Sequence, residues 1–167
     1  MKRMTLTAMK YSLIAAAIVL AFSHAEVKAQ GDTSVGRSLE GVWEVTTTPR
    51  DCTTGTPNPA AAFVSIHTFD RDGTMSSTSS AGTPLPFHGL WRRELGWNEY
   101  SVRRIRILRN PTTNLYSGKQ VIGGTVTLSE SGDEYTADEY MIVYDVNGVP
   151  VTSSCINSAG TRFTLAP

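Results

Sequence analysis

The sequence predicts an all-β chain folded as a single antiparallel, up-and-down β-barrel of about eight or nine strands, with little helix past its first segment. Three observations predict it. No stretch beyond residue 30 shows the 3.6-residue apolar period of an amphipathic helix. Short runs rich in Val, Ile, Thr, Tyr and Phe recur instead, bounded by turn residues. Their connections are mostly tight, which pairs consecutive strands antiparallel, and a long meander of this kind removes its edges by closing on itself.

The chain begins with a different grammar. Lys2, Arg3 and Lys10 precede an uncharged run from Tyr11 to Phe22, and small residues follow. That order reads as a secretory signal peptide, residues 1–29, cleaved after Ala29 or, less favourably, after Ala25. The apolar run is well short of the roughly 20 residues a spanning helix needs, so no stable membrane insertion is expected once the segment is cut. The mature protein is then secreted or periplasmic. Residues 30–40 read as a flexible leader, and 41–167 as one barrel domain.

The strands follow in order. Gly41–Thr48 alternates, with Trp43, Val45 and Thr47 sharing a side. Ala61–Phe69 and Thr74–Ser79 flank Asp70-Arg71-Asp72-Gly73, a hairpin turn. His88–Glu94 and Glu99–Arg109 flank Leu95-Gly96-Trp97-Asn98, and Lys119–Ser129 pairs with Glu134–Asp145 across Glu130-Ser131-Gly132-Asp133. Asn147-Gly148 turns the chain into Val149–Asn157, and Gly160 introduces a ninth strand, Thr161–Leu165. Pro49–Ala60 and Ser80–Phe87, rich in Pro, Thr, Ser and Gly, read as surface loops.

Composition argues against a nucleic-acid binder. The 167 residues hold 15 Lys+Arg against 15 Asp+Glu, for a formal charge of zero. A nucleic-acid binder would be strongly basic. Loss of residues 1–29 leaves 11 basic and 14 acidic side chains, and Lys119 is then the only lysine. Cys52 and Cys155, the only cysteines, both fall in the exported part, where an even pair reads as one disulfide.

Gly41-Val42-Trp43 at the start of the first strand resembles the Gly-x-Trp signature of lipocalins and the wider calycin superfamily. Arg162, in Gly160-Thr161-Arg162-Phe163, stands where that superfamily places an arginine over the tryptophan. The resemblance implies structural closure of one barrel end by Gly41, Trp43 and Arg162, and cation–π attraction gives the pairing a physical basis. Thr68–Met75, Gly89–Arg93 and Tyr144–Gly148 are similar to segments of small exported bacterial proteins described as lipocalin-like. The chain departs from typical lipocalins in lacking a clear C-terminal helix and the central Thr-Asp-Tyr motif.

That resemblance implies a barrel holding a small apolar or anionic molecule. His67 shares a face with Phe63, Ser65 and Phe69, and a lone histidine there reads first as a wall residue with one satisfied nitrogen. In Glu99–Arg109, Val102, Arg104, Arg106 and Leu108 share one face, and Arg103, Ile105, Ile107 and Arg109 the other. Pointing inward, Arg104 and Arg106 would form a dry cationic site for a carboxylate or phosphate. Pointing outward they would be a solvated stripe, the reading favoured here because unpartnered buried charge is costly. For a hollow interior, the candidate ligand-binding residues are His67, Trp91, Tyr100, Arg104 and Arg106. Asp138 and Glu139 face opposite sides of one strand, and no catalytic acid pair, metal-ligand spacing or cofactor loop stands out. A solid barrel serving as a protein-interaction module is the rival reading. A cyclase-type enzyme, by fold analogy with plant oxylipin cyclases, is a third.

Overall fold

The computed structural model describes residues 37–81 and 85–165. Eight strands, β1 (Gly41–Arg50), β2 (Phe63–Phe69), β3 (Thr74–Ser79), β4 (Phe87–Arg93), β5 (Glu99–Arg109), β6 (Tyr116–Leu128), β7 (Glu134–Tyr144) and β8 (Pro150–Arg162), pair in sequence order as a closed barrel. Every pairing is antiparallel, and β1 returns to β8 with Trp43 opposite Arg162. The proposed signal peptide and the leader as far as residue 36 lie outside the described residues.

The expected ninth strand is absent as a separate element: β8 runs unbroken through Gly160. Gly160 serves packing instead of turning. A Cβ there would stand 2.4 Å from the Tyr135 ring of the neighbouring strand, so only glycine lets that ring lie across β8. The turn reading holds at Gly73, whose φ of +85° is a conformation that favours glycine, between β2 and β3.

The end of the expected leader is also packed. Leu39 is fully buried, and the Trp43 indole Nε1 donates to its carbonyl at 2.9 Å. Residues 38–40 thus close the barrel beside β1 rather than trailing from it.

Period-2 alternation decides what fills the interior. Trp43, Val45 and Thr47 are buried while Val42, Glu44 and Thr46 face solvent, as the sequence predicts. Leu39, Trp43, Val45, Phe69, Tyr100, Val126, Leu128 and Tyr135 form a dense cluster at the end near Trp43. There Trp43 meets Tyr135 edge-on at 4.9 Å between ring centroids. The Arg162 guanidinium lies 4.3 Å over the Trp43 ring. Its nitrogens donate to the carbonyls of Ser38 at 2.7 Å, Glu40 at 2.6 Å and Gly132 at 2.6 and 3.0 Å. One side chain therefore ties the first strand, the approach to it and the β6–β7 turn.

Toward the other end the filling thins to Phe87, Ile122 and Ile156 with Met141 against them. Cys52 and Cys155 are bonded there, their Cα atoms 5.2 Å apart, pinning the loop after β1 to β8. An eight-stranded barrel is just wide enough to fill with side chains or hold one small ligand. This one does the first at one end and leaves room at the other.

Candidate functional site

Interior positions from all eight strands converge on a cavity of about 240 Å³. Phe63, Phe87, Ile122 and Ile156 supply its apolar walls, with Pro49, Ser79, Ala81 and Ser154 around its outer part. The polar groups come from His67, Arg104, Arg106, Gln120 and a set of hydroxyls.

Arg104 and Arg106 point inward, which overturns the outward reading. The burial of β5 alternates with Tyr100, Val102 and Arg104 inside, leaving Ile105 and Ile107 exposed. The objection of cost is met by a partner two strands away. Arg104 donates from both terminal nitrogens to both oxygens of Glu139, at 2.7 and 3.2 Å, and the two side chains are only 4% and 1% exposed. Glu139 also accepts from Ser158 at 3.0 Å, and Ser158 is 3.0 Å from the Thr47 hydroxyl. A bidentate pair with further hydrogen bonds is the form in which buried charge is tolerated.

Arg106 is differently placed. It is half-buried, donates from Nε to Gln120 Oε1 at 2.6 Å, and sits 4.6 Å from the centroid of the Phe87 ring. Gln120 in turn contacts the Met141 sulfur. The cavity thus presents a guanidinium stacked on an aromatic wall, next to an amide.

His67 is held at both ring nitrogens, where one was expected. Nδ1 is 2.9 Å from the Tyr135 hydroxyl and Nε2 is 3.2 Å from Ser65 Oγ. Burial, with the Arg104 charge adding to it, holds the imidazole well below its ordinary pKa and so neutral. Burial also pushes the Tyr135 phenol upward. A neutral imidazole with both nitrogens engaged beside a cation is a hydrogen-bonding wall residue, not a base poised to take a proton.

Trp91 and Tyr100 do not join the cavity. Tyr100 is fully buried in the dense end, and Trp91 packs there against Phe69 and Tyr100 while its Nε1 donates to the Asp70 carbonyl at 2.9 Å. Of the five candidates, His67, Arg104 and Arg106 come together and these two do not. Glu139 and Tyr135 are the partners that sequence reasoning missed. The alternation Tyr135, Ala137, Glu139 on β7 carried the signal that all three share the buried face.

Among the described residues, no group of three or more His, Cys, Asp or Glu side chains is placed to hold a metal ion. None of their helices is long and apolar enough to cross a membrane. No known family model matches the chain, and no curated protein matches it.

Proposed function

We propose that this is an exported, lipocalin-like barrel whose role is to hold a small, mostly apolar molecule with an anionic end in the cavity beside Arg104 and Arg106. The supporting observation is the cavity itself: about 240 Å³ of space with aromatic and aliphatic walls, beside a densely packed apolar cluster at the Trp43 end. An apolar cavity of roughly 150 Å³ takes benzene, so this one suits a ligand of about ten non-hydrogen atoms. The Arg106 guanidinium, half-buried in the cavity wall and stacked on Phe87, is the cation that would meet a carboxylate. Export is supported by the basic, then apolar, then small-residue order of the first 29 positions and by the bonded cysteine pair.

Calorimetric titration with cinnamate, and with cinnamyl alcohol as its uncharged counterpart, tests the reading. Cinnamate binds more tightly, and Arg106→Met lowers its affinity by about tenfold while leaving the alcohol nearly unchanged. Heat-silent titrations of both, together with a protein purified from its native host that releases no small molecule on denaturation, would sink it. Cell fractionation tests export, which fails if the full-length chain stays with its signal segment in the cytoplasm.

A further inference from the structure

The barrel offers no free strand edge, because β1 pairs with β8. A partner cannot add a strand and must be recognised by side chains on the outer wall. The outward face of β5 carries Arg103, Ile105, Ile107 and Arg109 in order. Leu90 of β4 stands opposite Arg103, and Lys119 of β6 opposite Ile107.

Three aliphatic side chains are bare on this face: Leu90 is 66% exposed, Ile105 43% and Ile107 56%. The positions around them, 88–92 on β4, 103–109 on β5 and 117–123 on β6, include no Asp or Glu. Arg103 makes no ion pair among the described residues. Two carboxylates at the margins are engaged elsewhere, Glu94 with Arg92 and Ser101, and Asp138 with Arg50. A cationic face is notable on a chain whose mature part carries more acids than bases.

The face is recessed at its Leu90 and Arg103 end. An outer groove of about 730 Å³ has Leu90, Arg92, Arg103 and Tyr140 among its walls. Tyr140 lies across β6 because residue 123 is glycine, where a Cβ would stand 3.1 Å from the Tyr140 hydroxyl. Beyond that groove Ile105 and Ile107 stand exposed between Arg103 and Arg109, with Lys119 opposite Ile107. Cations at both ends of one strand stretch with apolar side chains between them complement an extended segment whose acids bracket its apolar residues.

We propose that the outer face of β4–β6 docks an extended acidic segment of a partner protein, its carboxylates on Arg103 and Arg109 and its apolar side chains on Leu90, Ile105 and Ile107. The register is specific. Arg103 and Arg109 are six residues apart on one strand, about 20 Å, which an extended segment of about seven residues spans with acid, apolar, apolar and acid at alternate positions.

The peptide Glu-Ser-Leu-Ser-Leu-Ser-Glu, fluorescein-labelled, carries that pattern, and Lys-Ser-Leu-Ser-Leu-Ser-Lys is its charge-swapped control. Fluorescence anisotropy shows the acidic peptide binding the wild type and the basic one not. The double variant Arg103→Glu, Arg109→Glu weakens the acidic peptide about tenfold and gains affinity for the basic one. Raising salt weakens both matched pairs. Both changes are on exposed side chains, and recovery of the basic peptide shows that the variant is folded. Equal binding of the two peptides, absence of binding by either, or association with phosphatidylglycerol vesicles in place of the acidic peptide overturns the proposal. None of these outcomes bears on the interior cavity, which Arg103 and Arg109 do not line.

Discussion

Arg104 on β5 and Glu139 on β7 face each other across the barrel interior, joined by two hydrogen bonds of 2.7 and 3.2 Å and both withdrawn from water. The pair divides the interior: dense apolar packing lies on the Trp43 side and the cavity on the other. Taking two charges out of water is costly, and their attraction offsets that cost only because the geometry is bidentate and Ser158 satisfies a further lone pair.

Breaking that pair is therefore worse than removing it. Glu139→Gln or Arg104→Met alone leaves an uncompensated buried charge and lowers stability by about 3–5 kcal/mol. The double change Arg104→Met, Glu139→Gln recovers most of the loss. Urea denaturation of the two single variants and the double variant closes the cycle; independent, additive losses would mean that the two groups do not act as a pair.

His67 makes stability depend on pH in a stated direction. Burial depresses its folded-state pKa below the ordinary 6.5, so the unfolded chain binds a proton that the folded chain refuses. Stability from this group is complete above pH 6.5 and falls as pH drops beneath it, by at most about 1.4 kcal/mol per unit. In His67→Gln, which keeps a hydrogen-bonding side chain between Ser65 and Tyr135, that slope flattens. Urea midpoints measured from neutral pH down to about pH 5 check it, and an equal slope in both proteins refutes it.

Local signals carried the fold further than the site. The hairpin at Asp70–Gly73 was legible because its φ-positive position needs a glycine, and the Trp43–Arg162 closure because both residues sit in short recognisable motifs. The direction of β5 was not legible, because Arg and Ile alternate so that both faces look equally polar. What turns Arg104 inward is Glu139, 35 residues further on, and the second partner of His67 is 68 residues away. Gly160 misled for a related reason. In sequence a glycine reads as a turn, and only the Tyr135 ring across the strand pair shows it as a packing site.

That packing role makes Gly160→Ala informative. The added methyl would meet three ring atoms of Tyr135 between 2.4 and 2.9 Å, and the ring is hemmed by Trp43 and tied to His67. The substitution destabilises by about 1–3 kcal/mol despite alanine's harmless chemistry. Pairing it with Tyr135→Leu removes the clash, so a Gly160→Ala penalty that persists in that background argues for a backbone cause instead.

Cys52 and Cys155 act over a long stretch of chain, being 103 residues apart. Cys52→Ser with Cys155→Ser frees that loop in the unfolded state and lowers stability by up to about 4.7 kcal/mol. Local consequences fall at the cavity end, where the loop after β1 loses its tether to β8. Hydrogen exchange after reduction should accelerate between residues 51 and 62 and leave the Trp43 end protected; uniform acceleration contradicts a local tether.

At the Trp43 end, charge alone is not what Arg162 supplies. Its fork reaches the carbonyls of Ser38, Glu40 and Gly132 while the plane covers the indole, and burial lowers the guanidinium pKa from its ordinary value. Lysine keeps the charge but offers one nitrogen in place of a planar fork, so it cannot serve three carbonyls and cover the ring together. Arg162→Lys therefore costs about 2–3 kcal/mol, close to the cost of Arg162→Met. The loss appears as a lower urea midpoint, with faster exchange at the Trp43 indole N–H. A lysine variant as stable as the wild type would reduce the contact to electrostatics and leave the barrel closure to the surrounding apolar packing.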